Sequence, residues 1–229
     1  MSKKTVNKTE NRVEGVEQAL TKAEQFIERY QKVIIRAVGF VLGIVLLYMA
    51  FQQFYLDKLS KEAASQMFQA EHHFASEDWE RALDGDGIFP GFEDIISEYR
   101  LTSSANLARY YAGICCLNLG EYEEAIRHLS RFKTKDIILS SIALGGIGDA
   151  YAQLGDTEKA LAFYNRAADR RKNEFTTPLY LLRAGILLEN EDRLIEAARM
   201  YERIKNDHAN STEGRTIDRY IARVKAKAD

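Results

Sequence analysis

Residues 147–167, IGDAYAQLGDTEKALAFYNRA, decide the fold of this chain, because part of this stretch recurs along the sequence at a nearly fixed spacing. The segment LGDTEKAL at 154–161 lies 35 residues after LGEYEEAI at 119–126. A third copy, DRLIEAA at 192–198, follows 37 residues further on. A repeat of this length is typical of chains that are built from stacked helical hairpins.

Each copy carries small residues at two matching places, one upstream of the quoted motif and one inside it. They are Gly113, Gly148 and Gly185 upstream, and Ala125, Ala160 and Ala197 in the motif. Small residues are needed where two helices cross, because a larger side chain pushes the axes beyond the usual ~8–10 Å. The repeating unit is therefore predicted to be a pair of antiparallel helices.

The repeats resemble the tetratricopeptide repeat family, and the second copy matches the family pattern most closely. The first copy departs from the pattern with Cys116, where tyrosine is usual. The third departs with Leu188 at that same site and with Asp192 in place of the turn glycine. The resemblance implies an all-α fold, a right-handed superhelical solenoid with three repeats over residues 104–206.

Two flanking segments extend the predicted solenoid. Residues 57–103 are predicted to form a connecting helix and a degenerate repeat, which the SEDW motif at residues 76–79 and an apolar pattern over 92–99 indicate. Residues 207–229 are predicted to form a C-terminal capping helix with a polar outer face. The low content of helix breakers, two prolines and 14 glycines in 229 residues, agrees with a mostly helical chain.

In tetratricopeptide domains the first helices of the repeats line a concave groove, so the repeat register implies a set of partner-binding residues. The nine groove positions are Leu107, Tyr110, Ile114, Leu117, Asp149, Gln153, Leu179, Leu182 and Ile186. Seven of them are apolar or aromatic, which suits an extended or helical apolar segment of a partner protein. The alternative is that the protein's own capping helix or neighbouring side chains fill the groove.

Residues 37–56 form a twenty-residue stretch without a formally charged side chain. This length spans a bilayer core of about 30 Å, and the stretch lacks the polar stripe of an amphipathic soluble helix. It is therefore predicted to be a transmembrane helix, with a buried core helix as the alternative. Gly39 and Gly43 make a G-x-x-x-G pair, which lets two membrane helices pack closely.

Residues 1–36 are predicted to form an amphipathic helical tail, because apolar residues recur at spacings of three and four from Val13 to Ile34. Four Lys or Arg residues precede the predicted span within about twenty residues, and two follow it. This bias predicts a cytoplasmic N-terminus and a C-terminal domain on the other side of the membrane.

The sequence contains few candidate patterns for a catalytic or metal-binding site, so an enzyme is not expected, and no cofactor, metal or small-molecule substrate is expected either. The adjacent Cys115 and Cys116 are expected to be packed small hydrophobic residues. His128 and His208 have no Cys or His at ligand spacing. Outside residues 1–36, 24 Lys or Arg face 29 Asp or Glu, which disfavours nucleic-acid binding by this part.

The order of a short tail, one span and an acidic repeat domain looks like the YfgM-like family of bacterial inner-membrane proteins. That resemblance implies an ancillary subunit of the Sec translocon with a chaperone-like periplasmic domain. It implies three kinds of protein partner, namely translocon subunits, a membrane-anchored prolyl isomerase similar to PpiD, and unfolded exported chains. The alternative is a structural scaffold that binds one dedicated partner in another envelope complex.

Overall fold

The computed structural model describes residues 30–33 and 35–228. The structure is 80% helix, and the described residues contain no strand, which confirms the all-helical prediction. Residues 1–29 and 34 of the predicted tail helix lie outside the described residues. The chain divides into two compact units, Met1–Tyr55 and Leu56–Asp229.

The N-terminal unit is helical over its described residues. Residues 30–33 and 35–50 form α1, and a π-helical segment follows at Phe51–Leu56. These residues belong to a helix that runs from Tyr30 to Ala75 and that is, by length and composition, long and apolar enough to cross a membrane. Its large apolar side chains are exposed along α1, as a lipid-facing helix requires.

The second unit consists of ten α-helices and one short 3₁₀ helix within its described residues. They are α2 (Asp57–Ala75), α3 (Trp79–Asp84), α4 (Phe92–Glu98), α5 (Ser103–Leu119), α6 (Tyr122–Arg131), α7 (Ile137–Gln153), α8 (Thr157–Asp169), α9 (Thr176–Asn190), α10 (Leu194–Asp207), the 3₁₀ turn Gly214–Thr216 and α11 (Ile217–Ala228). The boundaries of the five segments predicted from the sequence, 1–36, 37–56, 57–103, 104–206 and 207–229, stay predictions.

Helices α5 to α10 form three consecutive hairpins, α5–α6, α7–α8 and α9–α10. Each helix packs against the next one in the chain, and the first helices α5, α7 and α9 also contact one another in turn. Helix α11 packs on α10 after the third hairpin. This order of contacts is that of a helical solenoid, in which each repeat buries its apolar face against its neighbours.

The turn inside each of the three hairpins repeats one backbone conformation. Gly120, Gly155 and Asp192 have φ values of 82°, 77° and 55°. This left-handed conformation ends the first helix, and it costs an L residue energy that glycine avoids. Asp192 therefore occupies the turn position that the sequence assigned to it, despite its side chain.

A set of polar side-chain bonds links successive repeats, and each of them joins residues 34 or 35 positions apart. The pairs are Glu93 with Arg127 and His128, Asp149 with Arg183, Thr157 with Glu191, Glu158 with Arg193, Asp169 with Arg203, Glu174 with His208, and Glu189 with Arg223. The spacing of 34 or 35 is close to the repeat length, so successive hairpins meet in a similar register. The repeat is therefore a property of the packing as well as of the sequence.

Candidate partner-binding groove

The three crossing glycines set how closely the helices of each hairpin approach. A Cβ atom at Gly113, Gly148 or Gly185 would lie 2.5, 2.7 or 2.3 Å from the side chain that faces it across the hairpin. The facing side chains are Leu129, Tyr164 and Tyr201, and the matching alanines Ala125, Ala160 and Ala197 are fully buried. The small residues predicted from the sequence thus stand at the helix crossings.

All nine groove positions lie on the first helices of the hairpins, α5, α7 and α9. Eight of them are half-buried and Gln153 is exposed. Half-burial means that each side chain packs against the solenoid and also keeps some surface for another molecule. The assignment of these residues to partner binding stays a prediction.

The N-terminal part of the predicted groove packs against the loop that follows α6 and against the second hairpin. Tyr110 lies against Phe132, with ring centroids 5.3 Å apart. Leu117 approaches α7 at Gly146, where a Cβ atom would lie 3.1 Å from the Leu117 Cδ1 atom. Ile114 reaches the same glycine at 4.0 Å. These side chains therefore fix the α5–α7 contact while they remain partly accessible.

The middle of the predicted groove is organised by Asp149. Its carboxylate accepts a hydrogen bond from the Tyr164 hydroxyl at 2.8 Å and forms an ion pair with Arg183 of the next hairpin. Burial, and then the nearby Asp149 charge, raise the pKa of Tyr164, so this hydroxyl stays protonated and donates. The space beside Gly145 is taken by the Tyr180 ring, since a Cβ atom there would lie 1.9 Å from it.

The C-terminal part contains a charged cluster that the sequence reasoning missed. Glu189, one turn beyond Ile186 on α9, is buried and accepts hydrogen bonds from Arg223 at 2.7 and 2.8 Å. It also accepts from Lys227 at 2.9 Å and from the Tyr201 hydroxyl at 3.2 Å. The Arg223 hydrogen bond is the main cause that lowers the pKa of Glu189 to about 2. Its spacing of 34 from Arg223 is the signal that could have revealed the pair.

The two adjacent cysteines are free and buried, as the sequence predicted. Burial raises the pKa of Cys115 and of Cys116 to about 12. A thiol with so high a pKa is almost entirely protonated at neutral pH and is a poor nucleophile. Both cysteines belong to the apolar core around α5.

One group of metal-ligand types comes together that spacing alone did not reveal. The ligand atoms of Glu93, Glu124 and His128 lie within 4.8 Å of one another. Arg127 pairs with both carboxylates, and His128 Nε2 lies 2.7 Å from Glu93 Oε1. The hydrogen bond from His128 lowers the pKa of Glu93. Because a guanidinium already neutralises both acids, we interpret this group as an ion-pair cluster that joins α4 to α6.

The predicted membrane-packing glycines lie on α1. No other part of the described chain comes within 4 Å of a Cβ atom placed at Gly39 or Gly43. Their flanks are therefore open to a second helix, and packing there stays a prediction.

The comparisons with known proteins agree with the hairpin geometry. The family model of the tetratricopeptide repeat matches residues 142–174, which cover most of α7, all of α8 and most of the following loop. A comparison with curated proteins gives no match. Residues 142–174 are therefore similar to a tetratricopeptide repeat, and such repeats generally mediate binding to protein partners.

Proposed function

We propose that the protein is a membrane-anchored interaction module of the bacterial inner membrane that binds its partners through the groove positions and catalyses no reaction. The observation that carries this proposal is the row of half-buried apolar side chains along α5 and α9, at equivalent places of the repeats. Such a surface binds apolar protein segments with little demand on their sequence.

The proposed site of action is the Sec translocon, where the repeat domain contacts newly exported chains as an ancillary, chaperone-like subunit. The resemblance in layout to the YfgM-like family supports this role. The partners are then translocon subunits, a membrane-anchored prolyl isomerase similar to PpiD, and unfolded chains that emerge from the channel. The apolar groove positions suit the last of these, because exported chains expose apolar segments before they fold.

The proposed topology is a single pass with a cytoplasmic N-terminus and a periplasmic repeat domain. The apolar helix Tyr30–Ala75 and the excess of Lys and Arg before the span support it. Protease added to sealed, right-side-out spheroplasts should digest the repeat domain before lysis. Digestion only after lysis would contradict this topology.

Photocrosslinking in intact cells tests the groove. A photoreactive residue at Ile114 or Ile186 should label translocon subunits and exported chains. Ile195 on α10 is a matched control, because it is an isoleucine, 72% exposed, that lies outside the groove positions. Equal labelling from Ile195, or no labelled protein from either groove site, would contradict the proposal.

A second candidate, a scaffold that binds one dedicated partner, is favoured by Asp149. The Asp149–Arg183 ion pair places charged groups between the apolar groove positions. A surface of this kind selects partner sequences with matching polar groups. A single stoichiometric partner, purified in mild detergent without translocon subunits, would support this candidate. Recovery of several different exported chains would support the chaperone-like role.

A further inference from the structure

A crevice of about 460 Å³ lies on another side of the second hairpin. It is formed between α6, the loop that follows α6, α7 and α8, and its wall on α7 includes Ser140, Ala143 and Ile147. At about 100° per residue, these residues point roughly opposite to the groove positions Asp149 and Gln153 on the same helix. None of the nine groove positions lines the crevice, although Tyr110 of the groove packs against Phe132 in the crevice wall.

The crevice exists because α6 is short. Helix α6 has 10 residues, whereas the equivalent second helices α8 and α10 have 13 and 14. The missing residues amount to about one helical turn, and the loop 132–136 covers this place instead. The gap leaves an apolar wall that Leu129, Phe132 and Phe163 help to form.

The lining of the crevice also carries cationic side chains. Lys133, Arg166 and Arg170 line the crevice, and the Arg166 guanidinium lies 4.6 Å from the centroid of the Phe163 ring. A second hollow of about 420 Å³ shares Thr134, Ser140 and Arg170 with the first one. It adds Lys135 and Arg171, so that five cations line the two adjoining hollows.

These cations stand out because the described part of the chain supplies no acid to pair with them. None of the five has a carboxylate within 4.0 Å among the described residues, and neither lining includes an Asp or Glu. The two nearest acids along the chain are engaged elsewhere. Asp136 accepts the N–H of Leu139 at the start of α7, and Asp169 pairs with Arg203.

We propose that this basic crevice binds an acidic protein segment that carries apolar side chains. Charge complementarity supports an anionic occupant, since unpaired cations in a concave site attract anions and raise their local concentration. The apolar wall would bury a Leu or Phe of that segment. Because the cations extend over two adjoining hollows, the site suits an extended peptide better than a compact anion. The protein would then bind one partner segment in the crevice and another at the groove positions.

A peptide titration of the full chain in detergent micelles tests the proposal. The probe is a fluorescein-labelled peptide in which glutamates flank leucine and phenylalanine, and the readout is fluorescence anisotropy. We expect the peptide to bind at least about tenfold more tightly than its glutamine counterpart at low salt, and to weaken as salt rises. Replacing its leucine and phenylalanine by serine should weaken binding as well.

The double variant Lys133→Glu/Arg170→Glu should lower the affinity for the acidic peptide by at least about tenfold. Arg219→Glu/Lys225→Glu is the matched control, because it makes the same change of net charge at two exposed residues of α11. The control should change the affinity by less than about twofold. All four side chains are exposed, so folding should be retained, and circular dichroism checks this.

Equal affinities of the crevice variant and the control would overturn the proposal. Displacement of the peptide by an anionic phospholipid in mixed micelles would also overturn it, and so would displacement by inorganic phosphate that exceeds the effect of sodium chloride at the same ionic strength. Either result would assign the crevice to a headgroup or a free anion. Crosslinking from Ile114 and Ile186 should be unchanged in the crevice variant. The two proposals can therefore fail separately.

Discussion

The second and third hairpins share one backbone design but secure it with different chemistry. In both, a glycine of the first helix lies under a tyrosine of the second, as Gly148 does under Tyr164 and Gly185 under Tyr201. In both, an acid on the first helix bonds to an arginine 34 residues later in the chain. Of these two hairpins, the second overlaps most of the residues that the family model matches, 142–174, and the third does not overlap them.

The differences lie in how tightly each element is held. Asp149 keeps a partly accessible carboxylate with one arginine, whereas Glu189 is buried and has two cations. The turn residue is Gly155 in the second hairpin and Asp192 in the third. The comparison teaches that the backbone geometry of the hairpin is more constrained than the identity of its side chains, because different side chains satisfy the same geometry.

The largest loss of stability is expected when a larger side chain replaces a glycine at a helix crossing. Gly185→Val should lower the free energy of unfolding by about 3 kcal/mol, since Tyr201 is fully buried and its ring cannot move away. Gly148→Val should cost less, about 2 kcal/mol, because its Cβ position is 2.7 Å from Tyr164 instead of 2.3 Å from Tyr201. Urea unfolding of the full chain in detergent micelles, followed by circular dichroism, measures both values.

Ala162→Val is the control for these two variants, because Ala162 is exposed on α8. It should cost only about 0.5 kcal/mol, the helix-propensity difference between alanine and valine. If the two glycine variants cost no more than this control, the glycines are not needed at the crossings.

The next largest loss of stability is expected when the buried acid is neutralised. Glu189→Gln should lower the free energy of unfolding by about 2 kcal/mol, because it removes the charge that Arg223 and Lys227 bind. Asp149→Asn should cost about 1 kcal/mol, since the Asp149–Arg183 pair is more accessible to water. Equal losses in the two variants would show that burial does not distinguish the two pairs.

The same comparison has a pH dependence with a defined sign. The pKa of Glu189 is lowered from 4.5 to about 2, so its ionised form favours the folded state. This contribution is fully present above the unfolded pKa of 4.5 and is lost as the pH falls toward about 2. The stability gap between the wild type and Glu189→Gln should therefore be constant above about pH 5.5 and shrink below pH 4.5. A gap that does not depend on pH would contradict this account.

The smallest change in stability is expected from substitutions at the turns inside the hairpins. Asp192→Gly should raise the free energy of unfolding by about 0.5 kcal/mol, because glycine adopts the left-handed φ of 55° without strain. The reverse change, Gly155→Asp, should lower it by a similar amount. Thermal unfolding of both variants beside the wild type tests this prediction, and a stabilised Gly155→Asp would contradict it.

The sequence was sufficient for the parts of the fold that depend on local pattern. The spacing of Gly113, Gly148 and Gly185 predicted the helix crossings, and each of the three faces a second-helix side chain. The groove positions could be placed on helices in the same way. Their exposure could not be predicted, because it depends on tertiary contacts: Tyr110 packs against Phe132 in the loop after α6, and Leu117 packs against Gly146 of the next hairpin.

The charged sites were the part that sequence reasoning missed. Glu189, Arg223 and Lys227 carry no motif, and their meeting depends on how α11 packs on the third hairpin. Glu93 and His128 are 35 residues apart, so the cluster appears only when the repeats stack.

The sequence alone determined that the chain contains helical hairpins at a period near 35 residues and one apolar helix of membrane-spanning length, because both features depend on local periodicity and composition. Only the tertiary structure decided which charges are neutralised and which stay unpaired. Glu189 is held by two cations, whereas Lys133 and Arg170 face a crevice without an acid in its lining. The physical reason is that charge pairing depends on distances between separate repeats, and those distances exist only after the hairpins have packed.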